Sequence, residues 1–193
     1  RGVAMASVAR AENIEPSAGQ SVFAITRGQR FERQLFEHDG ERLRKALEAA
    51  GALPEGSTGF ADFRLRMLGG PMGSLDEASA AFSAFVARIG AGDSTAASLV
   101  AGATVEVPGA PAVMLPKAVL VVDALVVRAD GDRPHLVVGE VKTYPDRGGH
   151  TDTTELATAR AQAGVYVHAL DLLVDSLGLV GRLEVDRSGF LVL

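Results

Sequence analysis

Two apolar runs of the chain contain charge at positions where charge is costly. Residues 118–127 have Asp123 in their middle, and residues 136–142 end in Glu140-Val-Lys142. Near-continuous apolar runs of this length are typical of strands buried on both faces. An unpaired carboxylate in such a strand costs free energy on the order of several kcal/mol. A partner that offsets this cost is therefore expected, and a bound divalent cation does so well.

Helical periodicity predicts three helices around these strands. Apolar residues recur at helical spacing over residues 28–50, where Gly40 allows either two helices or one with a break. A capping box over residues 74–77 predicts a helix that runs to about Ile89. Asp152 and Glu155 form a second capping signal, for a helix that runs to about residue 177.

The remaining segments predict strands and turns. Alternation of apolar residues with arginines over 63–67 predicts a half-buried strand, and residues 104–107 predict a short one. Asp-Gly-Asp at 130–132 predicts a hairpin between the two apolar runs. Residues 183–185 and 190–193 resemble a terminal hairpin. This order predicts an α/β (α+β) class with a mixed central sheet flanked by helices.

Composition restricts the class of protein further. The 193 residues are 47% hydrophobic and 22% charged, which predicts one globular domain over residues 21–193 after a loose lead-in over 1–20. The absence of cysteine excludes disulfides, thiolate zinc sites and iron–sulfur clusters within this chain, and it fits the reducing cytoplasm. No apolar run approaches the roughly 20 residues that span a bilayer, so no membrane partner is expected.

The net charge of the chain does not exclude an enzyme that acts on nucleic acid. The net charge of −5 argues against a protein that coats nucleic acid nonspecifically, but acidic catalytic ligands themselves add negative charge. Basic residues are concentrated in one early segment, which is equally well explained by a solvated helix face and by a phosphate-facing patch. The segment contains Arg27, Arg30, Arg33, Arg42, Arg44 and Lys45.

The charged ends of the two apolar runs predict a shared site. Strand alternation places Glu140 and Lys142 on one side, and the hairpin returns Asp123 to about the level of Glu140. Two carboxylates suit a hard cation such as Mg²⁺ or Mn²⁺, with the Val141 carbonyl completing its coordination. Such a cation makes water more acidic, and Lys142 is suited to hold or deprotonate that water and to neutralise charge on a phosphate.

These residues resemble the motif of the PD-(D/E)XK nuclease superfamily, with Val-Asp123 in place of the usual Pro-Asp and Glu140-x-Lys142 after it. Gln162-x-x-x-Tyr166, whose two side chains share a helix face, resembles the Gln-x-x-x-Tyr motif of the RecB-like branch. Gly28 and Glu32 resemble the first-helix motif of that branch. The pieces occur in the family order across residues 28–166. The chain is thus similar to lambda-type exonucleases and CRISPR-adaptation nucleases, without the four cysteines of iron–sulfur members.

The resemblance implies a restriction-endonuclease-like fold and a Mg²⁺- or Mn²⁺-dependent deoxyribonuclease of repair, recombination, or phage or CRISPR defence. DNA would be the partner, with protein partners or a homo-oligomer left open. The implied metal ligands are Asp123, Glu140, Val141 and Glu32, with Asp123, Glu140, Lys142 and Glu32 catalytic. Gln162 and Tyr166 would position the strand, and the candidate phosphate contacts are Arg30, Arg147 and Arg160.

Plainer explanations stay open for each of these residues. Asp123 could meet solvent or an arginine at a strand edge, and Glu140 with Lys142 could form a surface ion pair. Gln162 and Tyr166 could be an ordinary buried tyrosine with a polar neighbour, and Glu32 could be solvated. The alternative function is a catalytically inactive nuclease-fold subunit that binds nucleic acid or assembles a complex. A small-molecule enzyme is a third class, for which no cofactor motif is present.

Overall fold

The structure is a computed structural model that describes residues 22–93, 96–109, 116–129, 131–143 and 152–193. The helices are α1 (Val22–Ala49), α2 (Leu75–Gly90), α3 (Thr153–Ser176) and a short 3₁₀ helix (Arg66–Leu68). The strands are β1 (Phe60–Asp62), β2 (Leu99–Val107), β3 (Ala118–Arg128), β4 (His135–Val141) and β5 (Glu184–Val192).

The described strands form one mixed sheet in the order β1-β2-β3-β4-β5. The two outer pairs, β1 with β2 and β4 with β5, are parallel, whereas β2 with β3 and β3 with β4 are antiparallel. The predicted α/β (α+β) class with a mixed central sheet between helices is therefore confirmed. A restriction-endonuclease-like fold within that class stays a prediction.

The sheet is buried on both faces, which explains its near-continuous apolar strands. The core on one face joins α2 and α3 to the sheet through Phe82, Phe85, Leu170, Val100, Leu125 and Leu136. The core on the other face joins α1 to the sheet through Phe36, Leu43, Leu47, Leu99, Ala124 and Val126. Helix α1 therefore approaches the middle strands from the side opposite α3.

Helix α1 is interrupted where Gly40 weakens the pattern. Backbone angles are non-helical from Glu37 to Gly40, and His38, Asp39 and Gly40 all have positive φ. A Cβ atom on Gly40 would lie 2.9 Å from the Leu99 side chain, so glycine permits both the bend and the close packing on β2. The break expected at this position is confirmed.

Both capping signals and the central hairpin are also confirmed. Ser74 Oγ accepts a hydrogen bond from the Glu77 backbone N–H, and the Asp152 carboxylate accepts from the N–H groups of Thr154 and Glu155. Strands β3 and β4 pair antiparallel. Among the residues that the structure describes, none of the helices combines the length and apolar character needed to cross a bilayer.

Two strand predictions are wrong. The first strand ends at Asp62, and the expected strand over residues 63–67 is instead an extended turn leading into the 3₁₀ helix, with Arg64 buried. The expected terminal hairpin is one strand, β5, which pairs with the available edge of β4. Residues 186–188 mimic a turn because they bulge between the pairs Leu136–Val185 and Val138–Gly189.

Candidate active site

The register of the central hairpin brings the two strand carboxylates together. Ala124 lies opposite Gly139, so the next positions along the two strands are Asp123 and Glu140. The backbone N–H of Val141 donates to Asp123 Oδ2 at 3.0 Å, which holds the aspartate against the end of β4. Asp123 is therefore a cross-strand neighbour of Glu140, and the explanation that it meets only solvent does not apply.

Glu140 is a buried carboxylate with one cationic partner. Its side chain is 2% exposed, and its Oε1 atom forms an ion pair with Nζ of Lys142, which is 24% exposed. Within the described part of the chain, its Oε2 atom has no well-formed hydrogen bond. The Glu140–Lys142 pair is thus not a surface ion pair, because its carboxylate is withdrawn from water.

Helix α3 completes this group of side chains. The ammonium of Lys142 donates to Gln162 Oε1 at 3.1 Å, and Gln162 Nε2 donates to the Tyr166 hydroxyl at 2.6 Å. Burial raises the pKa of Tyr166, and the charges of Glu140 and Asp123 raise it further, so the phenol stays protonated. Gln162 and Tyr166 therefore hold the ammonium of Lys142 in place beside Glu140.

Both strand carboxyls have raised pKa values. Burial raises the pKa of Glu140. The hydrogen bond and charge of Lys142 lower this pKa, and the charge of Asp123 raises it further. Burial also raises the pKa of Asp123, against the lowering effects of the Val141 hydrogen bond and of Lys142. A buried carboxylate beside a half-buried one, with Lys142 as the cationic partner among the described residues, leaves net negative charge, which a bound metal ion would relieve.

Glu32 lies on α1, which packs on the other face of the sheet. The N-terminal part of α1 is tied to the end of β4 by Arg27, whose Nη2 atom donates to the Thr143 carbonyl at 3.0 Å. Burial raises the pKa of Glu32 to about 7, with Asp123 and Asp62 adding to the rise and Arg64 opposing it. Glu32 is therefore a neighbour of Asp123.

The three carboxylates do not form a ready-made cluster. Over the described ranges, no three histidine, aspartate or glutamate side chains lie close enough together to hold a metal ion. The charge of Asp123 raises the pKa of both Glu32 and Glu140, so Asp123 is the carboxylate that the two glutamates have in common. The role of Glu32 as a supplementary ligand stays a prediction.

Arg64 is a buried cation near the site. The sequence pattern predicted that it lies on a half-buried strand. Its guanidinium is bound in a bidentate manner by Asp62, at 2.9 Å to Oδ1 and 2.7 Å to Oδ2, and lies 4.9 Å from the centre of the Phe36 ring. Its neighbour Gly102 has a φ of +65°, and a Cβ atom there would lie 2.6 Å from Arg64 Cγ. The Asp-x-Arg spacing in the sequence could have indicated an ion pair, but its burial depends on the fold.

The other candidate cations lie at the periphery. Arg30 is exposed on α1 and Arg160 is exposed on α3. Arg147 falls outside the described residues. Arg44 of the early basic segment donates to the carbonyls of Ser57 and Gly59, so it supports the following loop rather than a phosphate.

The raised pKa of Glu32 predicts a pH-dependent stability. A carboxyl group whose pKa rises on folding binds more protons in the folded state, so stability falls as pH rises from the ordinary value of 4.5 to about 7. We expect Glu32→Gln to remove this loss and to raise the free energy of unfolding above pH 7 by about 2 kcal/mol. Urea unfolding in EDTA on either side of this range measures it.

The exposed loop residue Glu55 provides the matched control for this measurement. Glu55→Gln is expected to follow the wild-type profile throughout. A Glu32→Gln profile parallel to that of the wild type would show that Glu32 does not titrate differently in the folded and unfolded states.

The donor set of the site fits a hard divalent cation. Glu140 Oε2 is buried without a well-formed hydrogen bond among the described residues, and Asp123 lies beside it on the neighbouring strand. Carboxylate and carbonyl oxygens are the ligands that Mg²⁺ and Mn²⁺ prefer. Comparison of the chain with protein-family models, with curated proteins and with solved structures found no match. Function is therefore inferred from the site itself.

Proposed function

We propose that this protein is a Mg²⁺- or Mn²⁺-dependent deoxyribonuclease of the RecB-like PD-(D/E)XK type. The observation that supports this most strongly is the meeting of Asp123, Glu140 and Lys142 at the end of the β3–β4 hairpin. A carboxylate pair of which one member is buried, with one ammonium beside it, is costly for folding and suited to phosphodiester hydrolysis. The absence of cysteine fits an enzyme that meets DNA in the reducing cytoplasm.

Each residue has a distinct role in this proposal. Asp123 and Glu140 would hold the cation, with the Val141 carbonyl as a further ligand. When bound, the cation would supply Lewis acidity that activates water and offsets phosphate charge. Lys142 would then orient the attacking water and stabilise the charge that develops on the phosphate.

Gln162 sets the position of Lys142 in this proposal. Its side-chain oxygen accepts from Lys142 at 3.1 Å, and its nitrogen is occupied by Tyr166. Turning the amide around would bring its Nε2 group against the Lys142 ammonium, which only donates, and would lose that hydrogen bond. A fixed ammonium needs little reorganisation when charge develops on the phosphate, which is the condition for effective electrostatic stabilisation.

One observation favours the alternative of a catalytically inactive nuclease-fold subunit. The ion pair with Lys142 already compensates the charge of the buried Glu140 carboxylate without a metal ion. A protein that only binds nucleic acid or assembles a complex could retain such a pair as a structural element. Cleavage separates the two functions, since an inactive subunit does not hydrolyse DNA even if it binds a metal ion.

The test combines a metal titration with a cleavage assay. We expect calorimetry to detect Mn²⁺ binding that Asp123→Ala weakens at least about tenfold, because one of two carboxylate ligands is lost. Linear DNA should be cleaved with Mn²⁺ and not with EDTA, and circular DNA is cleaved as well if the enzyme is an endonuclease. The control is Asp76→Ala, which removes an exposed carboxylate at the start of α2. Binding without cleavage would favour the inactive subunit, and the absence of both would overturn the nuclease proposal.

A further inference from the structure

A groove lies beside Glu140, and the roles proposed for the site residues do not involve it. It encloses about 650 Å³ between α3 and β5, and Glu140 contributes to its lining. Sites for small organic molecules commonly have volumes of about 300–1,000 Å³. The groove therefore has room for a group of that size directly next to the proposed cation site.

The groove exists because one stripe of α3 consists of small residues. Ala159, Ala163 and Gly164 lie at helical spacing and line it. No atom lies within 4 Å of the position that a Cβ on Gly164 would occupy, so the space in front of this glycine is open. Glycine costs about 1 kcal/mol in a helix interior relative to alanine. The space is thus retained at a cost in stability.

The lining is apolar in its walls and basic at its exposed edge. Leu156, Val167 and Leu191 add to the apolar walls. Arg160 and Arg187 also line the groove, and both are exposed. Arg187 Nη1 is bound to Asp171 at 2.6 Å, while Arg160 has no hydrogen bond or ion pair to another described residue.

This lining is complementary to one nucleotide of a DNA strand. A nucleobase is flat with apolar faces and polar edges, and the phosphates on either side of it are anionic. Apolar walls would accept the base, the guanidinium of Arg160 would meet a flanking phosphate, and the Asp123–Glu140 site would face the phosphate that is cut. A cation site without an adjoining groove would hold the phosphate alone.

We propose that the α3–β5 groove binds an unpaired nucleobase of the strand being cut. The proposal rests on the proposed nuclease function and specifies its substrate as single-stranded or frayed DNA. A paired base cannot enter the groove until it leaves the duplex, which costs free energy that an unpaired base does not require.

Binding to bases is measured without relying on cleavage. A fluorescent thymidine oligonucleotide and an abasic strand of the same length carry the same phosphates but differ in bases. In EDTA, where no hydrolysis takes place, we expect the wild-type protein to bind the thymidine strand about tenfold more tightly by fluorescence anisotropy. Equal affinities would overturn the proposal, even if the protein cleaves DNA with Mn²⁺.

A pair of variants tests whether the groove is the site of this preference. Gly164→Leu adds a side chain in the open space of the groove and improves helix propensity, so folding is preserved. Val165→Leu introduces the same side chain one position along, where the native residue is 52% exposed. We expect Gly164→Leu to abolish the preference for bases and Val165→Leu to retain it. A preference that survives in Gly164→Leu would place base binding elsewhere and overturn the proposal.

The cleavage assay provides the corresponding kinetic result. With Mn²⁺, Gly164→Leu should raise KM for single strands about tenfold and leave kcat little changed, because the groove binds substrate without touching the reacting atoms. If neither the wild type nor any variant cleaves DNA, the nuclease proposal fails, whereas the anisotropy result still decides whether the groove binds a base.

Discussion

Replacement of Lys142 by alanine is expected to lower Mn²⁺-dependent cleavage of DNA about a thousandfold. Among the described residues, Lys142 is the cation that meets both the Glu140 carboxylate and the Gln162 amide. Linear and circular DNA should be incubated with each protein, and the initial rates compared. The reduction should appear in kcat, because the ammonium acts on charge that develops in the transition state.

Lys117→Ala is the matched control for this experiment. Lys117 is 61% exposed and pairs with Glu106, so its removal changes the net charge equally without touching the site. Its cleavage rate should stay at the wild-type level. Equal cleavage by the wild type and Lys142→Ala would point to a contaminating nuclease and count against the assignment of Asp123, Glu140 and Lys142.

The second large effect is expected on stability. Lys142→Met leaves the Glu140 carboxylate buried without its cation, and we expect the free energy of unfolding to fall by about 2–3 kcal/mol. The partial exposure of Lys142, 24%, places this effect below that of a fully buried pair. Replacing both partners, as Glu140→Leu with Lys142→Met, should restore wild-type stability or exceed it by about 1–2 kcal/mol. Urea unfolding in EDTA measures all three proteins.

The pH dependence gives a second criterion for the same variants. Burial already raises the pKa of Glu140, so a protonated Glu140 at low pH needs no cation. The deficit of Lys142→Met should therefore be small in acid and grow as pH rises through the pKa of Glu140, while the double variant shows no such growth. The exposed pair of Lys45 with Glu41 is the comparison, and Lys45→Met should alter stability too little to measure. A double variant as unstable as Lys142→Met would show that the pair itself stabilises the fold.

If both results hold, the site is kept at the expense of stability. Removal of the charged pair would give a more stable protein that no longer cleaves DNA. Lower stability is expected at a site whose function requires buried charge, because buried charge does not favour folding.

Much of the site arrangement was predictable because it depends on local rules. Strand alternation and a hairpin determine that Asp123 comes level with Glu140, because the turn that joins two antiparallel strands sets their register. Helical spacing likewise determines that Gln162 and Tyr166 share a face, and they are hydrogen bonded at 2.6 Å. These relations involve neighbours in sequence or strands joined by a short turn.

The pairing of distant segments was not predictable in this way. Alternation over residues 63–67 suggested solvent-facing arginines, yet Arg64 is 5% exposed because Asp62, Phe36 and Gly102 enclose its guanidinium and stem. Similarly, the polar residues 186–188 matched a turn, but the available edge of β4 recruits the whole segment as one parallel strand with a bulge. Partners contributed by other elements decided both outcomes.

The amino-acid sequence alone determined the class of fold, the ends of the helices and the presence of costly charge in two apolar strands, since propensity, capping and side-chain period act over a few residues. Only the tertiary structure decided which face Glu32 approaches from, that Arg64 is buried and that a groove lies beside Glu140. These features depend on how α1, α3 and β5 pack around the sheet. Packing of distant elements follows from the burial of all their surfaces together, which no single stretch of sequence specifies.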